Sequence, residues 1–95
     1  MDVTPFDYGT KLTKDTSPAS IPSGTAVASF NHRSATNTWN HYTAFLQKNN
    51  GTIHIEAVTD DVDGPATVSA SAKVNGKATL EAVLSDVVKE LSSKP

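Results

Sequence analysis

The chain has 95 residues, which is enough for one small domain and excludes a second hydrophobic core. It contains no cysteine, which excludes disulfides and thiolate metal sites. The formal net charge is -2 and Arg33 is the only arginine, so the clustered positive charge that a nucleic-acid partner requires is missing. Only 20 residues are Leu, Ile, Val or Phe, but the small net charge still favours a folded domain over a disordered chain.

The sequence shows no segment that is typical of secretion or of a membrane span. Residues 1–12, MDVTPFDYGTKL, lack both the basic stretch and the apolar run of a secretory signal. We therefore expect a cytoplasmic protein that has no membrane partner. A mature secreted chain placed behind an added Met1 would begin in the same way.

Residues 1–24 are rich in Thr, Ser and Pro and are predicted to form an extended N-terminal arm, followed by a single α+β domain over residues 25–95. The prolines at 5, 18 and 22 interrupt regular hydrogen-bonding ladders. The arm also carries apolar side chains that suit docking on a surface: Val3, Phe6, Tyr8 and Leu12. The alternative is a loose tail, since chain termini are poorly ordered unless something holds them.

Residues 25–30 are predicted to form a first strand, with Ala26, Ala28 and Phe30 on one face and Val27 on the other. Residues 31–40, NHRSATNTWN, are predicted to be a polar connection of about ten residues, long for a hairpin loop. This stretch contains Trp39 and Arg33, the residue types that dominate binding hot spots. The alternative for Trp39 is that it folds back over the edge of a small core.

The firmest structural prediction is a β-hairpin over residues 41–60. Two alternating segments, HYTAFLQ and TIHIEAVTD, flank an Asn50-Gly51 pair, which supplies the positive φ angles of a tight antiparallel turn. Because side chains two apart in a strand share a face, one face is expected to be core: Tyr42, Ala44, Leu46, Ile53, Ile55 and Ala57. The other face is expected to meet solvent or a ligand: His41, Thr43, Phe45, Gln47, His54, Glu56 and Val58.

Residues 60–65, DDVDGP, are predicted to be an ordinary solvated turn. Asp61, Asp63 and Gly64 match three positions of a calcium-binding loop, but Thr59 and Ala70 occupy positions where that loop needs carboxylates. Residues 66–74 then alternate small apolar and polar side chains, which predicts a further strand.

The C-terminal segment is predicted to be a helix, because five apolar residues recur with helical spacing: Leu80, Val83, Leu84, Val87 and Leu91. The alternative is a second hairpin after Asn75-Gly76, which would make residues 77–84 a strand. We favour the helix.

These elements predict an α+β fold: a three- to four-stranded antiparallel sheet with one C-terminal helix on one face and the arm outside. A single helix is too narrow for a sheet about 15 to 20 Å wide. The arm, or a second copy in a two-fold dimer, is therefore expected to cover the rest of the apolar face.

The sequence contains no complete catalytic or nucleotide motif, so we expect a non-enzymatic protein-interaction module that acts as a homo-oligomer and needs no cofactor or metal. It would be a small accessory, inhibitory or structural factor, for example one of phage type. The residues expected to bind its partner are Arg33, Asn37, Trp39, His41, Phe45, His54 and Glu56.

Two alternatives remain open. The first is a small anionic-ligand, nucleotide-like binding protein that uses residues 31–41, which would explain the single arginine. The second is a minimal hydrolase or metal enzyme built on histidines and carboxylates: His41, His54, Glu56 and Asp60.

Overall fold

The computed structural model describes residues 3–61, 67–73 and 78–93. It contains five strands, one helix and a short 3₁₀ turn at Pro18–Ser20. The strands are β1 (Asp7–Tyr8), β2 (Ala26–Arg33), β3 (Trp39–Asn49), β4 (Thr52–Thr59) and β5 (Thr67–Lys73), and the helix is α1 (Leu80–Ser92). All strands belong to one antiparallel sheet in the order β1-β2-β3-β4-β5.

The predicted class, α+β with an antiparallel sheet and one C-terminal helix, is confirmed, but the predicted number of strands is wrong. The sheet has five strands instead of three or four. The additional strand is β1, a two-residue segment of the N-terminal arm that pairs Asp7 with Ser29 and Tyr8 with Ala28. Two residues are too short to show alternation in a sequence.

The β3–β4 hairpin forms as predicted. Asn50 and Gly51 have φ angles of 46° and 78°, so both central residues of the turn are left-handed. Phe45 lies opposite Glu56 and Gln47 opposite His54. All six residues that alternation assigned to the core are buried.

The predicted faces of β2 hold for Ala28 and Phe30, which are both buried, but are wrong for Ala26 and Val27 because of a β-bulge. The register shifts between Ala26 and Ala28, and Ala26 pairs with Phe45 on the exposed face. Val27 is fully buried while Ala26 is exposed, so the bulge turns both Val27 and Ala28 towards the core.

The predicted ten-residue connection is also wrong, since only residues 34–38 form the loop between β2 and β3. The Ser34 N–H donates to the Thr38 carbonyl (2.8 Å), the Asn37 N–H donates to the Ser34 carbonyl (2.9 Å), and Asn37 has a φ of 67°. The flanking residues belong to strands, and their polar side chains gave the sequence the appearance of a loop. Trp39 is 48% exposed, so it does not fold over the core.

The inner, apolar face of the sheet is covered by the helix and the arm together. Helix α1 packs mainly on β5 and also on β4, with Leu80, Val83, Leu84, Val87 and Leu91 buried, which confirms the helical stripe. The arm contributes to the same core: Phe6 contacts Phe30 of β2 edge-on at 5.2 Å between ring centroids, and Phe30 in turn stacks on Tyr42 of β3 at 5.4 Å. Further along the arm, Ile21 is 2% exposed and belongs to the same core.

The arm also holds the beginning of the helix. The Leu80 N–H donates to the Thr16 carbonyl and the Glu81 N–H donates to the Lys14 carbonyl, both at 3.1 Å. These N–H groups have no partner inside the helix, and the Thr79 hydroxyl satisfies a third by accepting from the Ala82 N–H. The helix therefore begins at Leu80, and the alternative strand over that residue is wrong, while Asn75-Gly76 lies outside the described residues.

A side-chain hydrogen bond joins the arm to the same end of the helix. The Tyr8 hydroxyl donates to the Glu81 carboxylate. Burial and then this hydrogen bond raise the pKa of Tyr8 to about 12, because both disfavour the phenolate. In the described part of the chain, no helix is long and apolar enough to cross a membrane.

Candidate functional site

The residues predicted to bind a partner lie on the outer face of the sheet, away from the helix. They come from three strands and one turn: Arg33 on β2, Trp39, His41 and Phe45 on β3, His54 and Glu56 on β4, and Asn37 in the 34–38 loop. The alternation of antiparallel strands places the strand residues on one side.

The structure separates these residues into two clusters. Arg33 and Trp39 are cross-strand partners, with Asn37 in the adjoining loop and His41 two residues further along β3; we refer to these four as the Trp39 cluster. Phe45 pairs with Glu56, and His54 lies two residues before Glu56 on the same face; these three form the His54 cluster. Trp39 and Phe45 are six residues apart on one strand, about 20 Å at the usual rise.

Beside the His54 cluster lies a hydroxyl group that the sequence analysis did not identify. His54 lies opposite Ser71 of β5, and its Nδ1 is 2.8 Å from the Ser71 Oγ. Its Nε2 is 3.8 Å from a Glu56 carboxylate oxygen, which is an ion-pair distance and too long for a hydrogen bond. The alternation of β5 could have identified Ser71, since it falls on the same face as Ser69.

A serine, a histidine and a carboxylate in series is the arrangement of a hydrolytic triad, but two further requirements are not met. The histidine and carboxylate side chains are 35% and 48% exposed, so water screens their interaction. The cluster also lies on an open sheet surface, where no described turn or helix N-terminus directs backbone N–H groups at a reacting carbonyl. The contacts are those of a surface hydrogen-bond network.

The predicted histidine and carboxylate residues do not come together around a common point. His41 pairs with Asn31 while His54 pairs with Gln47, which places the two imidazoles far apart along the hairpin. The backbone N–H of His41 donates to the Asp61 carboxylate at 2.5 Å. Over residues 3–61, 67–73 and 78–93, no group of three His, Cys, Asp or Glu side chains could hold a metal ion.

The outer face is mostly polar, with several short hydroxyl side chains and a few large apolar ones. Trp39 and Val58 are 48% and 36% exposed, and Phe45 is half-buried. Between them lie short polar side chains: Ser29, Thr43, Thr67, Ser69 and Ser71. A surface of this kind offers separate aromatic anchors on a flat polar background.

The opposite face has a polar end that the sequence analysis missed. His32 and Asn40 are cross-strand partners on the inner face and are 8% and 1% exposed. Burial lowers the pKa of His32, and the Asn40 Oδ1 has no hydrogen-bond partner within the described residues. Thr59 is also buried there, and its hydroxyl accepts from the Asp61 N–H at 3.0 Å. Alternation indicates the inward orientation of His32 and Asn40, because each is two residues from a buried aromatic residue on its strand, Phe30 and Tyr42 respectively.

Where the arm meets the helix, an open cleft of about 360 Å³ remains between Val3 and Phe6 on one side and Ser85, Val88 and Lys89 on the other. Its lining is mainly apolar. The sequence could not reveal this cleft, because the position of the arm on the sheet is not encoded in a local pattern.

The two edges of the sheet differ. The β2 edge is partly covered by β1 and by a bridge between Val3 and His32. In the described part of the chain β5 pairs with β4 on one side only, so its other side presents backbone groups without a strand partner.

No protein-family model matches the sequence, and comparisons with curated proteins and with solved structures also give no match. Function is therefore inferred from the side chains and strands of this chain alone.

Proposed function

We propose that the protein is a non-enzymatic interaction module that works as a homo-oligomer, as a small accessory, inhibitory or structural factor, and that its outer sheet face meets a protein partner. The observation that supports this most is the exposure of Trp39 on a rigid strand beside Arg33, with Phe45 and Val58 further along the same face. A tryptophan has only two side-chain torsions and so loses little conformational entropy on binding, and Trp and Arg are both enriched at hot spots.

The sequence argument for a homo-oligomer was that a second copy would cover part of the apolar face, and the structure replaces that argument with another. The arm and the helix cover the inner face within one chain, so a second copy is not needed to close the core. Support for self-association comes instead from the open edge of β5. A chain of this size also has a thin margin of stability, which association would increase.

Site-specific photo-crosslinking tests the partner surface. A benzoylphenylalanine placed at Trp39 or at Phe45 should crosslink to the partner in the native cell, since both positions lie on the outer face. The matched control is the same probe at Lys89, whose side chain is 79% exposed on α1 and lies on the other side of the sheet. Equal capture from all three positions, or no capture from 39 and 45, would contradict the proposal.

The absence of enzymatic activity is tested with an activated ester. Because the Ser71 hydroxyl and His54 lie within hydrogen-bonding distance, any hydrolysis by this chain should depend on them. We expect p-nitrophenyl acetate hydrolysis by the wild type to equal that of Ser71→Ala. A saturable rate that disappears in both Ser71→Ala and His54→Gln would overturn this part of the proposal.

A second candidate function is binding of a small anion at the Trp39 cluster. It is favoured by one observation, the cross-strand pairing of Arg33 with Trp39 beside the left-handed Asn37, which brings a guanidinium and an indole to one end of the sheet. Isothermal titration with inorganic phosphate and with a nucleoside monophosphate checks it. Heat that is lost in Arg33→Gln would support the second candidate, and no heat with either anion would remove it.

A further inference from the structure

Within the described residues, the edge of strand β5 lacks three common protections against pairing with another strand. Exposed edge strands are normally blunted by proline, by a bulge or by inward-pointing charges. The seven residues of β5 contain no proline, their register against β4 is continuous, and the single charge is Lys73 at the end. An edge of this kind is a template for another strand.

The sequence of β5 is also nearly symmetric about its centre. The residues TVSASAK, from 67 to 73, show the same alternation of polar and apolar side chains in both directions, with serine on either side of Ala70. Antiparallel pairing of two copies about Ala70 would place Ser69 opposite the other copy's serine at 71, Val68 opposite alanine at 72, and Thr67 opposite lysine at 73. No like charges meet, hydroxyl faces hydroxyl, and apolar faces apolar.

We propose that a second copy of the chain pairs with β5 in this register, so that a two-fold axis passes between the Ala70 residues of the two copies and two five-stranded sheets join into one continuous sheet. This inference rests on the proposed homo-oligomer and names its interface. A two-fold, self-complementary contact is the commonest form of closed association, and it removes one open edge from each copy.

The inner side of β5 is suited to such a joint. Val68 is buried under the helix, while Ala70 and Ala72 are only half-buried at the margin of the core. A neighbouring strand with the same small residues extends this apolar layer across the axis, and the alanines permit close approach of the two copies. On the outer side, the exposed Ser69 and Ser71 join the two binding faces into one surface.

A pair of charge variants at the same two positions tests the register. In Ser69→Lys with Ser71→Lys, each lysine faces a lysine of the second copy. In Ser69→Lys with Ser71→Glu, each lysine faces a glutamate. Positions 69 and 71 are exposed and face Glu56 and His54 within the chain, and both variants lose the Ser71 contact with His54 equally. Both should therefore fold, and thermal unfolding at low concentration checks this.

We expect sedimentation or light scattering to show a wild-type dimer, with the Lys/Lys variant dissociating at least about tenfold more readily than the Lys/Glu variant. Equal dissociation constants for the two variants, with a wild-type dimer, would overturn this interface and leave the homo-oligomer standing. A wild type that stays monomeric over about a hundredfold range of concentration would overturn both.

Discussion

His32 is a titratable side chain inside the core, and its protonation should be linked to folding. Burial lowers its pKa in the folded state, so the unfolded chain, with a histidine pKa of 6.5, binds the proton more readily. The stability contributed by neutral His32 is thus complete above pH 6.5 and is lost as the pH falls through the folded-state pKa. We expect the free energy of unfolding, measured in urea between pH 7.5 and 5.5, to fall more steeply for the wild type than for His32→Gln.

The matched control for His32 is His41→Gln, because His41 is exposed on the outer face. If His32→Gln and His41→Gln have the same slope against pH, the buried imidazole is not the group that senses acid.

At the scale of single residues, alternation predicted which hairpin side chains are buried, and every one of the six is. Alternation also places His32 and Asn40 on the inner face, where both are buried. Their polar side chains instead led to the prediction of a loop over residues 31–40. Contacts such as Ser71 with His54 depend on the register between β4 and β5, which the sequence did not determine because residues 60–66 separate the two strands.

Among the structural elements, the β3–β4 turn depends on the left-handed backbone of Gly51. An added Cβ at this position would meet no atom within 4 Å, so the effect of a substitution arises from its φ of 78° alone. Gly51→Ala should lower the free energy of unfolding by about 1 kcal/mol. Asn tolerates left-handed φ better than Ala, so Gly51→Asn should lose clearly less in the same urea titration, and equal losses would contradict the role of φ.

The elements with a long, regular pattern were those that the sequence predicted well. The stripe from Leu80 to Leu91 indicated α1, and the Asn-Gly pair indicated the hairpin. The bulge near Val27 arises from the pairing of β2 with β3, and the two-residue strand β1 arises from its pairing with β2. Neither feature produces a periodic pattern in the local sequence.

At the scale of the whole molecule, the N-terminal arm and helix α1 together cover the apolar face of the sheet. Phe6 is the side chain of the arm that packs against Phe30 there. It is half-buried and contacts the Phe30 ring edge-on. Phe6→Ala should lower the free energy of unfolding by about 2 kcal/mol, less than a fully buried phenylalanine because part of its ring is already exposed.

The comparison for Phe6 is Phe45→Ala, since Phe45 is also half-buried but lies on the outer face. On the outer face no described element packs above the ring, so Phe45→Ala creates no enclosed cavity. Its decrease in the free energy of unfolding should be at most about half of that for Phe6→Ala. An equal or larger loss for Phe45→Ala in parallel urea titrations would mean that the arm does not contribute to the core as the structure indicates.

The central claim is that the N-terminal arm is part of the folded core of a single chain, and amide hydrogen exchange tests it most directly. The Gly9 N–H donates to the Val27 carbonyl at 3.0 Å and the Leu80 N–H to the Thr16 carbonyl at 3.1 Å, so both report on the arm. We expect NMR to show both amides exchanging at least about a hundredfold more slowly than in an unstructured peptide. Exchange of Gly9 and Leu80 at the unstructured rate, while amides in the centre of β3 stay protected, would contradict the claim.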